Sequence, residues 1–273
     1  MPLRSTHRGS VLLRDKVALV TGGGGDIGRA IAMALAHERC HVAICGRSLE
    51  SLLKTVRAIK NNGGSALAIK ADVSEREDVK KMIKKILKEW NSLDILVNNA
   101  GTISFSSVID LPEDEWNQVI DVNLTGTFLC SKYAAREMIN QGKGGRIINV
   151  SSRGGKVGLK DAAHYSASKF AIIGLTQSLA LELIPYGITV NAICPGRIEG
   201  KMAQADIDAT AKAEDLPKLS AEKKYSEPIP IGRLGLTSEV ANVVVFLCSD
   251  KASYIVGESI NITGGIDLVR GGQ

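Results

Sequence analysis

The sequence predicts an α/β fold, a doubly wound parallel sheet of about seven strands with helices on both faces, gathered in a single domain. Two patterns and one motif carry that prediction. Short β-branched runs alternate with amphipathic stretches from Lys16 almost to the end of the chain. The runs are apolar throughout rather than alternating, as strands covered on both faces are. The first run opens into glycines directly before a helical pattern, the start of a strand, tight turn and helix unit.

Taken in order, Lys16 to Thr21 reads as a strand and Ile27 to His37 as the helix after it. His41 to Cys45 is a second strand and Leu49 to Asn61 a second helix, ended by Asn62, Gly63 and Gly64, which tolerate left-handed backbone. Ala66 to Ile69 and Glu75 to Trp90 repeat the pair, and Leu93 to Asn98 is the fourth strand. Helical signals run from Pro112, suited to a first turn, to Asn140, before a strand at Arg146 to Val150. A small-residue helix spans Asp161 to Leu183, and a strand follows at Ile188 to Ile193. An irregular polar segment, a helix from Ser238 to Cys248 and a short strand around Ser259 to Thr263 complete the chain. Residues 1–13, basic and rich in Gly and Ser, read as a flexible tail, with 14–273 as the domain.

Composition narrows the function. The chain has 273 residues, 44% hydrophobic and 23% charged, which suits a folded body. Its net charge of +5 comes from 34 bases dispersed among 29 acids. The densest basic group, Lys80, Lys81, Lys84, Lys85 and Lys88, follows helical spacing and reads as a solvated helix face. Aromatics at 4% are too few for base-stacking platforms, so no nucleic-acid partner is expected. No apolar run has membrane-spanning length, and the start lacks a signal-peptide core, so no membrane association is expected. Five scattered cysteines without a CxxC or Cys/His cluster indicate neither a disulfide framework nor a metal site, and point to a reducing, cytoplasmic compartment.

Chemistry should sit beyond the carboxyl ends of the strands. After the first strand stands Thr21-Gly22-Gly23-Gly24-Gly25-Asp26-Ile27-Gly28, where Gly23, Gly25 and Gly28 satisfy GxGxxG. Such a turn brings bare backbone to a diphosphate, and the free N–H groups of the next helix attract the anion, so a Rossmann-like dinucleotide site is expected. The second strand ends Cys45-Gly46-Arg47-Ser48 with no carboxylate to hold a ribose 2′-hydroxyl. Arg47 there suits a 2′-phosphate, so NADP(H) is the expected cofactor and NAD(H) remains possible, while a solvated loop Arg is the plainer reading. Tyr165 and Lys169 lie four residues apart, hence on one helix face. A neighbouring ammonium favours phenolate, and lowering a phenol pKa of about 10 by roughly 2 to 3 units is worth about 3 to 4 kcal/mol.

These residues together resemble the classical short-chain dehydrogenase/reductase family, similar to its 3-oxoacyl-carrier-protein reductases and sugar or polyol dehydrogenases. The resemblance covers nearly the whole chain from about Leu13. It rests on the glycine turn, Asp72-Val73, Asn98-Asn99-Ala100-Gly101, Asn123 in Asp121-Val122-Asn123-Leu124, Ser152, Tyr165, Lys169 and Pro195-Gly196 in order, with Pro230 to Gly235 and Ile262 to Gly265 closing the chain. It implies Asn123, Ser152, Tyr165 and Lys169 as the catalytic set. Tyr165 would donate a proton, and Lys169 would bind the nicotinamide ribose. Ser152, thirteen residues before Tyr165, would steady the carbonyl oxygen, with Ser151 as its rival. Asn123 would hold a relay water, or simply be a solvated helix residue.

For the cofactor the resemblance implies Gly22, Gly24, Gly25, Asp26, Ile27 and Gly28 at the diphosphate. Asp72 and Val73 would meet the adenine, although Asp72 also suits a helix start. Asn99, Ala100 and Gly101 would bring backbone alongside the cofactor, Asn99 otherwise being a strand-end turn residue. Pro195, Gly196 and Ile198 would hold the nicotinamide end. It also implies a homotetramer and a mobile cover at about 197–229. Three positions depart from the family. Asp26 replaces a glycine of TGxxxGxG, and Gly200 stands where a Thr often meets the nicotinamide amide. Gly25 stands where NADP-preferring members often carry a basic residue, which leaves the cofactor expectation on Arg47 and the missing acid.

The expected reaction moves a hydride between nicotinamide and a carbonyl or secondary alcohol. Charges in the cover (Lys201, Asp206, Asp208, Lys212, Glu214, Asp215, Lys218) and Arg153, Lys156 and His164 at the rim suggest a small polar substrate of 3-oxoacyl, sugar or polyol type. A non-catalytic NADP-binding sensor and an epimerase or dehydratase of the same family are the competing readings.

Overall fold

The computed structural model describes residues 12–268. Seven strands form one wholly parallel sheet in the order β3-β2-β1-β4-β5-β6-β7. They are β1 (Val17–Thr21), β2 (His41–Gly46), β3 (Ser65–Lys70), β4 (Ile95–Asn98), β5 (Gly145–Val150), β6 (Ile188–Pro195) and β7 (Ser259–Ile262). Between them run α1 (Asp26–His37), α2 (Leu49–Asn61), α3 (Arg76–Trp90), α4 (Glu113–Ile120), α5 (Gly126–Gln141), α6 (Ala163–Leu183), α7 (Lys201–Ala213), α8 (Lys218–Ser226) and α9 (Thr237–Cys248). The doubly wound sheet expected from the alternation is what the chain forms.

Period-two geometry sorts the strand side chains into two cores. Ala18 and Val20 of β1 point to one face, where Ile31 and Leu35 of α1, Leu52 and Val56 of α2, and Val240 and Val244 of α9 cover them. Val17 and Leu19 point to the other, under Met82 and Ile86 of α3, Cys130 and Met138 of α5, and Leu183 of α6. The strand order reverses between β1 and β4, which opens a crevice beyond their carboxyl ends.

Four expectations change. The tail assigned to 1–13 ends too late: Leu13 is buried and the Leu12 N–H donates to Glu38 Oε2 at 2.7 Å, while residues 1–11 lie outside the described chain. Strand β4 starts at Ile95 because the Gln141 side-chain amide takes both backbone groups of Leu93, at 3.1 and 3.2 Å. The helical run after Pro112 is broken by a π-helical turn at Asp121–Thr125, between α4 and α5. The polar segment after Gly200 folds into α7 and α8, which pack through small buried residues, Ala203 and Ala221, and Ile207.

One helix requires comment. Ala163–Tyr186, α6 with its short extension, is long and apolar enough to cross a membrane by length and composition. It packs on β6 and buries His164, Ser168 and Lys169, while Phe170 and Leu181 stay exposed.

Candidate active site

The glycine turn is built for close backbone approach. Gly22 has φ of 67°, and a Cβ at Gly28 would sit 2.3 Å from the Gly22 carbonyl oxygen, so neither position accepts a side chain. Thr21, at the end of β1, fastens the turn to the end of β4: its Oγ1 accepts from the N–H groups of Asn99 and Ala100, each at 2.9 Å. Asn99 Nδ2 donates in return to the Thr21 carbonyl at 2.9 Å. Asn99 therefore does more than turn the chain.

Across the crevice, β5 and α6 supply the polar groups. Lys169 is buried, and its Nζ donates to the Val150 carbonyl at 2.9 Å. Burial pushes its ammonium down to about 8, against a smaller opposing effect from Cys194. Tyr165 is held up by burial, with a hydrogen bond from Ser152 pulling the other way. This reverses the sequence expectation that the ammonium sets the phenol's pKa. Lys169 Nζ stands over the Tyr165 ring, 5.6 Å from its centroid, and is engaged elsewhere.

The two candidate serines separate. Ser151 is buried and its hydroxyl donates to the Lys169 carbonyl at 2.8 Å, which commits it to holding α6. Ser152 accepts from the Gly154 N–H at 3.1 Å and keeps its hydroxyl proton available beside Tyr165.

Asn123 is fully buried in the π-helical turn, not solvated. Its Oδ1 accepts from the Thr102 N–H at 2.8 Å, and its Nδ2 donates to the Thr102 carbonyl and to Ser168 Oγ, both at 3.0 Å. Ser168 in turn donates to the Tyr165 carbonyl at 2.7 Å. Asn123 thus links the loop after β4 to the turn of α6 that carries Tyr165 and Lys169. A Cβ placed on Gly101 would lie 3.3 Å from Asn123 Oδ1 and 3.4 Å from Lys169 Nζ, so bare backbone passes over both.

One cavity of about 550 Å³ gathers these parts. Gly22, Gly25, Asp26, Ile27 and Gly28 line it on one side, and Asn99, Ala100 and Gly101 lie beside them. Ser152, Tyr165, Lys169, Pro195, Gly196 and Ile198 complete the wall. A strand-end turn of bare backbone facing a phenol, a hydroxyl and an ammonium suits a dinucleotide laid next to a carbonyl.

A family model described as short chain dehydrogenase matches residues 16–211. The chain is a short-chain dehydrogenase/reductase. An uncharacterized oxidoreductase of Thermotoga maritima is 40% identical over 256 residues, 94% of this chain and 99% of its own. A 3-oxoacyl-(acyl-carrier-protein) reductase of Staphylococcus aureus is 42% identical over 252 residues, 92% of this chain and 98% of that protein. The crystal structure of an actinorhodin polyketide ketoreductase variant with NADPH matches with a TM-score of 0.88 at 35% identity, covering 92% of this chain and 97% of that one. Short-chain dehydrogenases are oxidoreductases that act on a CH–OH or carbonyl group with a nicotinamide cofactor, and this enzyme is one of them.

Some anticipated groups stand elsewhere in this dehydrogenase. Gly24, Arg47, Asp72 and Val73 do not line the cavity. Arg47 is exposed beyond β2; Asp72 Oδ1 accepts from the Ser74 N–H at 3.0 Å and hydroxyl at 2.6 Å; and Val73 is buried against Gly126. His164 is an interior residue, not a rim contact: its Nε2 pairs with Ser104 Oγ at 2.7 Å. Arg153 does line the cavity, as expected of the rim, while its Nε pairs with Asp267 at 3.0 Å; Lys156 does not line it and donates to Ser259 at 2.5 Å. Of the cover's charges, Lys218 pairs with Asp208 at 3.2 Å and Lys224 with Glu214 at 2.5 Å, whereas Asp206 lines the cavity and accepts from Tyr225 Oη at 3.1 Å.

Ile103, Phe105, Leu159, Met202 and Tyr225 line the cavity and were not anticipated. They come from a loop and from the cover, where no motif marks them. Thr21 was within reach of sequence reasoning, as a hydroxyl at the last strand position before the glycines.

Proposed function

We propose that this enzyme is an NADP(H)-preferring reductase of 3-oxoacyl thioesters, using Tyr165 as proton donor, Ser152 as carbonyl holder, and Lys169 and Asn123 as their supports. The observation that carries the reading is the meeting of Ser152, Tyr165 and Lys169 with the glycine turn in one cavity. The nicotinamide, when bound, supplies the hydride to the carbonyl carbon. Ser152 Oγ–H donates to the carbonyl oxygen as negative charge gathers there, and Tyr165 Oη–H delivers the proton that completes the alcohol. Buried Lys169 places positive charge beneath both, and its depressed pKa reflects the work of keeping a charge there. The wall of Ile103, Phe105, Leu159 and Met202 gives an acyl chain apolar surface. The long relationship to a Staphylococcus aureus protein bearing that activity supports the choice over a sugar or polyol.

Arg47 supports NADP(H), because it is exposed where a 2′-phosphate would stand and no acid replaces it. Self-association, as a homotetramer, is supported by large apolar side chains exposed on α5 and α6, Phe128 at 42%, Phe170 at 46% and Leu181 at 78%.

The test is a panel of 3-oxoacyl thioesters, sugars and polyols followed by nicotinamide absorbance with both cofactors. Thioester reduction with kcat/KM for NADPH at least about tenfold above NADH is expected, and Arg47→Ala should bring that ratio close to one. A sugar or polyol turned over in preference would overturn the substrate, and an NADH preference the cofactor. Dinucleotide binding without turnover of any compound would leave a sensor.

A further inference from the structure

Two of the positions at which the sequence departs from its family, Asp26 and Gly200, touch each other. Asp26 is the first residue of α1, at the mouth of the glycine turn, and its Oδ2 accepts the Lys201 N–H, the first of α7, at 2.7 Å. Gly200 has φ of 142°, and a Cβ there would lie 2.6 Å from that same Oδ2. A side chain at 200 would have to push that carboxylate aside, and the backbone there, at φ of 142°, favours glycine. The carboxylate satisfies one of the unpaired N–H groups with which α7 begins, and it complements the dipole of that helix.

The surrounding backbone makes this contact consequential. The cover leaves the sheet through a bridge between Ile198 and Gly235, with Glu199 N–H donating to the Gly235 carbonyl at 2.8 Å and Gly235 N–H to the Arg197 carbonyl at 3.0 Å. Glu199 also accepts from the Thr237 N–H at 3.2 Å, which pins the same point to α9. Beyond the bridge, α7 and α8 are joined by Tyr225 Oη donating to Asp206 Oδ2 at 3.1 Å, and Arg197, just before the bridge, lies over the Tyr225 ring at 4.3 Å. Whatever holds the first turn of α7 therefore sets where Met202, Asp206 and Tyr225 stand over the cavity.

We propose that Asp26 is a positioning residue that clasps the cover to the dinucleotide turn, holding the substrate side of the cavity in place from the cofactor side. The inference rests on the reading that this cavity takes a nicotinamide dinucleotide. The clasp carries a cost, since its carboxylate stands at the helix terminus where the diphosphate is expected.

Hydrogen exchange on the dinucleotide-free protein tests the clasp, and titration of NADPH fluorescence tests the cost. Asp26→Gly should speed exchange of the Lys201 to Gln204 amides about tenfold and raise KM for the carbonyl substrate more than it lowers kcat. Gly200→Ser should do the same by displacing the carboxylate, and the double variant should be no worse than either single one. Asp26→Asn keeps an acceptor oxygen without the charge, so it should retain the protection and bind NADPH about threefold or more tightly. Unchanged exchange in both Asp26→Gly and Gly200→Ser would overturn the clasp, and an unchanged NADPH affinity in Asp26→Asn would overturn its cost. Failure of the wild-type protein to bind NADPH would instead remove the cofactor reading, with the exchange result standing apart from it.

Discussion

The floor and the cover of the cavity are held by opposite means. Beneath Tyr165, polar side chains are buried and bonded in series: Asn98 Nδ2 donates to Ser131 at 2.9 Å and to Asn149 Oδ1 at 2.8 Å, and Asn149 Nδ2 donates to Thr176 Oγ1 at 2.9 Å. Asn123 and Ser168 add a second series into the same helix. In the cover, Lys218–Asp208 and Lys224–Glu214 are ion pairs whose side chains all remain 43% or more exposed. A buried polar group left unpaired costs about 1 to 3 kcal/mol, whereas an exposed ion pair is worth roughly 0 to 1. The floor consequently dictates residue identity, and the cover tolerates change.

The largest expected break in that contrast is Tyr165→Phe. The ring keeps its place while the proton is lost, so kcat should fall by about 10²- to 10⁴-fold with the NADPH dissociation constant little altered, read by steady-state rates and fluorescence titration. Unchanged turnover would remove Tyr165 from the chemistry.

Lys169 offers a sharper probe, because its charge is held against burial. The folded protein binds that proton with a pKa of about 8 and the unfolded chain with the ordinary 10.5. Between those values the unfolded state carries more protons, so stability rises with pH across that window, and the penalty is fully present below it. Relative to Lys169→Met, wild type should gain on the order of 3 kcal/mol as pH rises from 8 to 10.5, measured by urea unfolding of both proteins. The buried thiols other than Cys194, which acts on Lys169, are common to the two and cancel. A difference that stays flat with pH would mean the ammonium is solvated.

Asn123→Ala should cost about 2 to 3 kcal/mol of stability in the same assay, since the Thr102 N–H and carbonyl and the Ser168 hydroxyl lose a partner together. It should also lower kcat by loosening the α6 turn, whereas a loss of stability with full activity would confine Asn123 to folding.

The same contrast explains what could be read from the sequence. Strands buried on both faces must be apolar, so β1, β2, β4, β5 and β6 were visible to within a few residues, and bare backbone at Gly22 and Gly28 can be met by glycine alone. Ser152 and Tyr165 were legible as a pair set thirteen residues apart, and both line the cavity. The π-helical turn around Asn123 was not, because Val122 and Leu124 continue a helical pattern and the extra residue shows only in the backbone. Helices α7 and α8 were hidden for a different reason: they bury Ala203, Ile207 and Ala221, too little apolar surface to mark a helical stripe. Lys169 was placed correctly beside Tyr165, but the burial that governs both pKa values comes from distant elements and leaves no local trace.

The smallest effect belongs to the cover. Removing both of its ion pairs, as Lys218→Ala with Lys224→Ala, should change stability by less than about 1 kcal/mol, and that difference should shrink further in 1 M salt, where the screening length is about 3 Å. The lysines sit on α8, Asp208 on α7 and Glu214 in the turn just after it, so the pairs tie the two helices to each other and contribute little to holding either on the sheet. Ala203, Ile207 and Ala221 are the buried residues of the two helices, and at the first turn of α7 Asp26 holds the cover to the start of α1. A loss of 2 kcal/mol or more in the double variant would show that the cover is fastened electrostatically, and the division between a bonded floor and a loosely paired cover would then have to be abandoned.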